Sequence, residues 1–177
     1  MSKITTKSLI LRHFCVGDAE AMFKNWTYDE RVARYCRWYP HKSIEETKRL
    51  LDIYIKKTEN GNDYIWGIVL KETDELVGCI DIVNISDDGK TATIGYLLSF
   101  EHWNKGYVTE ALSAVIEKLF SDAFETVCAA HHIDNPASGR VMEKCGMRYI
   151  HSDIAPGKFG TDETCTVKCY EIQNTNT

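Results

Sequence analysis

Apolar and polar positions alternate in short blocks whose period changes along the chain. Ser8 to Phe14 (SLILRHF) carries β-branched and aliphatic residues in a strand-length run. Asp18 is an N-cap candidate for a helix through AEAMFKNW, and Thr27 to His41 is aromatic-rich and helical in part. Ser43-Ile44-Glu45-Glu46 is a capping box, predicting a helix from there to about Glu59. Its positions Ile44, Thr47, Leu50, Leu51, Tyr54 and Ile55 recur at spacings of three and four, and Gly61-Asn62 breaks it.

Strands are expected at Tyr64 to Leu70, Leu76 to Ile85 and Thr91 to Ser99. The turns Thr73-Asp74-Glu75 and Ser86-Asp87-Asp88-Gly89 between them predict antiparallel hairpins. From Val108 the period becomes helical. Val108, Leu112, Val115, Leu119 and Ala123 mark one face, widened by Ala111, Ile116 and Phe120. A strand at Thr126 to His131, a helix from Pro136 to Cys145, and strands at Met147 to Asp153 and Thr164 to Ile172 complete the pattern. The order β-α-α-β-β-β-α-β-α-β-β predicts an α+β (mixed α/β) domain over residues 1–172, mostly antiparallel in its first half. Residues 173–177 read as a flexible polar tail.

Length and composition narrow the class. The 177 residues are 44% hydrophobic, with four Trp, nine Tyr and six Phe, which suits one folded domain rather than a disordered chain. A formal net charge of −5 disfavours a nucleic-acid binder and fits a basic acceptor such as an amine. No apolar run is long enough for a membrane span, and the N-terminus lacks the features of a secretory signal. Seven cysteines without a CxxC pair predict free thiols in a reducing cytoplasm. Cys165-x-x-x-Cys169 lacks a second ligand pair, so no metal is expected. His131 and His132 are adjacent on a strand, point to opposite faces and read as structural.

The stretch HWNKGYVTEAL, His102 to Leu112, carries the first candidate chemistry. A turn, Asn104-Lys105-Gly106, leads without proline into the helix. The first four N–H groups of a helix lack internal partners and lie at the positive end of its dipole, which suits phosphate. Gly106 can take a positive φ, Lys105 adds a cation and Thr109 a hydroxyl. The stretch is neither a GxxxxGK[ST] loop nor a GxGxxG fingerprint, and by itself it is also an ordinary turn. A second capped helix start follows at Asn135-Pro136-Ala137-Ser138, where Asn135 is the N-cap and Pro136 the first helical residue.

With those residues in place, Ile94 to Phe120 (IGYLLSFEHWNKGYVTEALSAVIEKLF) and Asp134 to Tyr149 (DNPASGRVMEKCGMRY) resemble the GNAT superfamily of acyl-CoA N-acyltransferases. Within it they are most similar to the ribosomal-protein alanine N-acetyltransferase (RimJ/RimL-like) branch. LILRHFCVGDAEAMFKNW and WYPHKSIEETKRLL agree with the same family, so the resemblance spans nearly the whole chain. It implies a GNAT-like fold: a splayed, mostly antiparallel sheet of about seven strands flanked by about four helices.

The resemblance also implies roles. Acetyl-CoA would be the co-substrate, with its pyrophosphate on Asn104, Lys105, Gly106, Tyr107, Val108 and Thr109. Its pantetheine arm would run beside Leu97, Leu98 and Ser99, with the Leu98 N–H polarising the thioester carbonyl. Asn135 and Ser138 would face the pantetheine and the sulfur. The family's tyrosine acid falls at Glu143 here, leaving Ser138 as the candidate proton donor. Asn104 and Val108 replace a common glycine and alanine. Glu101, at the mouth, is the candidate general base. The acceptor segment would hold Trp38 and Tyr39 among Tyr35, Arg34, Arg37 and His41, with Trp66 lining it from a neighbouring strand.

The activity implied is transfer of acetyl to a primary amine, a protein N-terminus or a small molecule, by direct attack in a ternary complex of a monomer or homodimer. No nucleic acid or membrane is expected as partner. A CoA-binding sensor without catalysis is the alternative from another class. A cysteine hydrolase using Cys128 or Cys36 has no nucleophile motif behind it.

Overall fold

The computed structural model describes residues 3–61 and 64–175. Among them eight strands form a single sheet in the order β1-β2-β3-β4-β5-β6-β8-β7. These are β1 Ile4–Thr5, β2 Leu9–Arg12, β3 Ile65–Leu70, β4 Leu76–Ile85, β5 Thr91–Leu98, β6 Thr126–His132, β7 Arg148–Pro156 and β8 Thr164–Gln173. The helices are α1 Ala19–Met22, α2 Glu30–Ala33, α3 Ile44–Glu59, α4 Tyr107–Ser121 and α5 Pro136–Lys144. The mixed α/β architecture agrees with expectation; the added strand is the two-residue β1, too short to leave a periodic signal.

Every strand pair is antiparallel except β5 with β6, which are joined by the α4 crossover and pair in parallel. Their register covers only Thr91↔Thr126 to Ile94↔Ala129. Beyond Ile94, β5 runs on to Leu98 while β6 runs on to His132 beside β8. The sheet therefore splays open between the two strands.

Two apolar layers cover the sheet. On one face α4 buries Ala111, Leu112, Val115, Ile116 and Leu119 against Ile80, Ile94, Leu98 and Val127. Each fully buried aliphatic side chain there contributes about 1.5–3 kcal/mol. On the other face Met22, Trp26, Val32 and Leu51 pack over Ile65, Val69 and Cys79. This second layer carries α1, α2 and α3.

Several local readings change. The segment after Cys15 is not one helix: a 3-10 turn at Val16–Asp18 leads into α1 and then a π-helical turn at Phe23–Thr27. The Asp18 carboxylate is taken by Arg12 at 2.8 Å through both guanidinium nitrogens, and by the Cys15 N–H, rather than capping α1. Helix α4 stops at Ser121, and Ala123 takes φ 69° in the turn instead of continuing the apolar face. The break after α3 starts at Gly61 with φ 90°; Asn62 lies outside the described residues. Gln173, expected in the tail, closes β8 opposite Thr126, and the Asn174 N–H donates to the Glu125 carbonyl at 2.8 Å.

Candidate active site

The site forms where β5 leaves β6. Alternation along an antiparallel strand decides which way each amide points. The Ser99 N–H donates to the Val77 carbonyl of β4 at 2.7 Å. The preceding N–H, that of Leu98, therefore faces the opposite side, toward the gap. The Leu98 carbonyl faces the same way and accepts the Trp103 indole N–H at 2.8 Å, which pins the following loop to the strand end. The Leu98 side chain is buried in the α4 layer, while Leu97 packs against the α1–α3 layer. Ser99 is buried, and its hydroxyl is engaged at 2.6 Å with His102 Nδ1. With its N–H on Val77 and its carbonyl accepting the His102 N–H at 3.0 Å, Ser99 shapes the corner and leaves the strand-end contact to Leu98.

The loop beyond this corner builds an anion seat. Gly106 is the N-cap of α4 with φ 84°, and its carbonyl accepts the Glu110 N–H at 3.0 Å. Tyr107, Val108 and Thr109 precede that first helical bond, so their N–H groups have no intrahelical acceptor. Asn104 has φ 61°, a left-handed conformation that a glycine there would also supply. Asn is among the few non-glycine residues that tolerate it, which accounts for its standing in a glycine position. Nothing lies within 4 Å of a Cβ placed on Gly106, so the ground above the turn is open. A recess of about 340 Å³ beside Tyr107 is lined by Lys7, Lys71 and Glu72 among others, so its charge is mixed and the positive potential of the seat comes from Lys105 and the helix end.

Glu110, in the first turn of α4, was not singled out from the sequence. It accepts the Thr6 hydroxyl at 2.5 Å and the Ser8 N–H at 2.6 Å. Burial works against its charge, but these donors outweigh it and hold the carboxyl below its usual range. The contact ties the chain between β1 and β2 to the helix that offers the anion seat.

Across the gap stands α5. The Asn135 side chain accepts the Ser138 N–H at 3.4 Å as its cap, and Pro136 occupies the first turn. Ser138 Oγ lies 2.9 Å from the hydroxyl of Tyr96, which also donates to the Ser138 carbonyl at 3.0 Å. Burial pushes the Tyr96 phenol well above its ordinary pKa, so it stays protonated and available as a donor. In the sequence Tyr96 is simply a residue of the strand expected at Thr91 to Ser99; a hydroxyl partner from an adjoining helix leaves no mark in strand periodicity. Glu143, where the family's tyrosine falls, accepts the hydroxyl of Tyr170 from β8 at 3.3 Å.

Glu101 is highly exposed, and its carboxylate lies 3.6 Å from Arg31 of α2. Arg31 also pairs with Asp29 at 2.6 Å and lies 3.8 Å over the Phe100 ring. Trp66 does not line the acceptor side. It is fully buried in the α4 layer, edge-on to Tyr64, because alternation along β3 turns it away from α1–α3.

Trp38 packs against the α1–α3 layer and faces the His41 ring, whereas Tyr39 is exposed. Desolvation lowers the His41 pKa, which favours its neutral form beside Thr47.

Burial disfavours the thiolate at the two cysteines weighed as nucleophiles. Burial raises the Cys36 thiol to about 11 and also raises Cys128. Cys165 and Cys169 sit four residues apart on β8, about 13 Å along the strand, too far to share a metal. Among the described residues no cluster of three potential metal ligands occurs, and no helix is long and apolar enough to cross a membrane.

Comparison with known proteins fits this geometry. The acetyltransferase (GNAT) domain family matches residues 8–148. The N-acetyltransferase YoaA of Bacillus subtilis, itself uncharacterized, is 32% identical over 146 residues, 82% of each chain. An acetyltransferase of the GNAT family from Bacillus anthracis superposes with a TM-score of 0.82 at 25% identity, covering 97% of this chain and 98% of that one. RimL, a ribosomal L7/L12 α-N-protein acetyltransferase solved with coenzyme A, superposes at 0.81 with 19% identity, over 97% and 98% of the two chains. The splayed sheet, the open helix start and these similarities converge: the chain belongs to the GNAT family of acetyl-CoA-dependent N-acetyltransferases.

Proposed function

We propose that the protein moves the acetyl group of acetyl-CoA to a primary amine, borne by a protein N-terminus or a small molecule, by direct attack. The observation that carries this reading is the placement of the Leu98 N–H at the mouth of the β5/β6 gap, beside the open start of α4. One strand end and one helix end thereby offer a carbonyl donor and a phosphate seat together.

Acetyl-CoA supplies an activated thioester; the chain's residues do the rest. The amides of Tyr107, Val108 and Thr109, with Lys105, hold the pyrophosphate in the seat shaped by Asn104 and Gly106. Of Leu97, Leu98 and Ser99, it is Leu98 that turns its backbone N–H toward the pantetheine arm, because the amides of its two neighbours face β4, and Asn135 flanks the arm. The Leu98 N–H stabilises the oxyanion that develops on the thioester carbonyl. Ser138, held by Tyr96, donates to the departing sulfur. Trp38 and Tyr39 stand on the acceptor side. Glu101, at the rim, draws a cationic acceptor inward, in keeping with the net charge of −5.

The test pairs calorimetric titration of acetyl-CoA with a thiol-release assay over an amine panel. The panel includes peptides starting with Ser or Ala, a polyamine and free amino acids. Micromolar binding with turnover on at least one amine is expected. Tight binding without turnover on any amine would favour the sensor reading.

A further inference from the structure

One carboxylate has no part in the site as described, yet it lies on the α1–α3 face of the sheet, against which Trp38 also packs. Asp81 sits in mid-β4, opposite Gly95 of β5 and Ile65 of β3. Ile80 and Ile82 belong to the α4 layer and Cys79 to the α1–α3 layer, so Asp81 shares the α1–α3 face with Cys79. Leu97 faces that side too and is two residues from Gly95, roughly 7 Å along the strand.

Gly95 leaves the carboxylate uncovered from that direction. A Cβ there would stand 3.4 Å from Asp81 Oδ1 and 2.9 Å from Val83 Cγ1. The groups facing Asp81 are Tyr54 and Lys57 of α3 and Cys79 of its own strand, while Ile65 and Gly95 bring no charge. Among the described residues it has no hydrogen-bond donor and no ion pair within 4 Å. Burial raises its pKa to about 6, with the Lys57 charge opposing in part. A half-buried carboxylate held this way weakens the folded state once ionised, and an amide in its place would not. Such a group concentrates where function needs it.

We propose that Asp81 is the carboxylate that receives the acceptor amine, pairing with its ammonium form and taking one proton from it. This rests on the acetyl-transfer reading and gives Asp81 the part that the sequence suggested for Glu101. Glu101 is solvated and shares Arg31, so it anchors an ammonium weakly. In the step, the Asp81 carboxylate accepts a proton from nitrogen, and the freed lone pair forms the C–N bond to the thioester carbonyl carbon. The C–S bond breaks with its electrons leaving on sulfur. The second nitrogen proton ends on that sulfur, and Asp81 returns its own to water.

The test compares wild type with Asp81→Asn and Asp81→Glu, using acetyl-CoA and an amine that the wild type acetylates. Asp81→Asn is expected to lower kcat/KM for the amine by about 100-fold or more. Its Kd for acetyl-CoA should stay within about twofold and its melting temperature at pH 8 should not fall, since the variant removes only an ionised, half-buried group. The wild-type kcat/KM should rise with pH through about 6. In Asp81→Asn that rise should move to the pKa of the amine itself, near 8 for an α-amine. Asp81→Glu should recover part of the activity. An Asn variant of near wild-type activity, with the rise still at the wild-type pH, overturns this inference and leaves the acetyl-transfer reading standing. Loss of activity matched by losses in acetyl-CoA affinity and melting temperature also overturns it, as a structural role. Absence of wild-type turnover on every amine overturns both.

Discussion

The phenol oxygen of Tyr96 lies 2.9 Å from Ser138 Oγ and 3.0 Å from the Ser138 carbonyl, bridging β5 and α5 across the splayed end of the sheet. The serine hydroxyl is thereby oriented by a group that stays protonated. Tyr96→Phe removes that orienting hydroxyl and keeps the ring in place. A net hydrogen bond is worth about 0.5–1.5 kcal/mol, so kcat should fall up to about tenfold while acetyl-CoA affinity changes little. Ser138→Ala should cost more. Because both act through one hydroxyl, the double variant should be no worse than Ser138→Ala alone, measured by steady-state thiol release. Full additivity would mean that the two hydroxyls act separately.

Gly106 and Asn104 both take positive φ, 84° and 61°, and they set the approach to α4. A β-branched residue at Gly106 meets no neighbour but is strained by φ alone. Gly106→Val should raise the Kd for acetyl-CoA more than about tenfold, as the turn relaxes and the Tyr107–Thr109 amides lose their aim. Asn104→Gly should bind as well as wild type or slightly better, because glycine keeps the left-handed turn. Calorimetric titration of both variants checks the pair. Unchanged affinity in Gly106→Val would remove the phosphate-seat assignment.

The contrast between these two sites shows what the sequence made legible. The α4 seat is local: a turn, a glycine and an amphipathic helix read directly from His102 to Leu112. So was α3, whose Ser43 boundary and Glu59 end match the observed helix. The Tyr96–Ser138 bridge joins residues 42 positions apart, and the Glu110 clamp on Thr6 joins residues 104 apart. Neither leaves a periodic trace. Trp66 shows the same limit from the other side: its place on a strand was legible, but the face it turned to depended on register and on which layer covered it. The region from Val16 to Thr27 defeated helix reading because three short helical turns of different pitch replace one helix.

Asp18 predicts an acid-sensitive term in stability. Burial raises its pKa, but the Arg12 guanidinium and the Cys15 amide outweigh that and hold the carboxyl below its usual range. A carboxylate with a depressed folded pKa stabilises the fold above its unfolded pKa, near 4, and that stability is lost as pH falls through the folded value. Asp18→Asn should therefore be less stable than wild type at pH 7, by about 1–3 kcal/mol for loss of a partly buried charged partner. The difference should shrink toward zero as the pH falls through the lowered folded pKa of Asp18. Urea midpoints across that range read it directly, and a pH-independent gap would point to packing instead.

Lys158 holds the end of α2 and the segment after it through their backbone carbonyls, and lies 5.5 Å over the Tyr39 ring. Its ammonium donates to the carbonyls of Ala33 at 2.5 Å, Cys36 at 2.7 Å and Trp38 at 3.0 Å, which uses all three of its protons. Beside it the Phe159 N–H donates to the Arg37 carbonyl at 2.6 Å, and the Arg37 guanidinium lies 4.5 Å over the Phe159 ring. The turn between β7 and β8 is thus fastened to the chain after α2, where Trp38 and Tyr39 stand. Lys158→Met keeps the stem and removes the three donors. It should lower stability by about 1–3 kcal/mol and raise the KM for the amine severalfold, leaving the Kd for acetyl-CoA unchanged. Arg at this position should recover little, because a planar fork does not match three converging carbonyls. A KM that stays at the wild-type value would separate this turn from the acceptor site, whatever happens to stability.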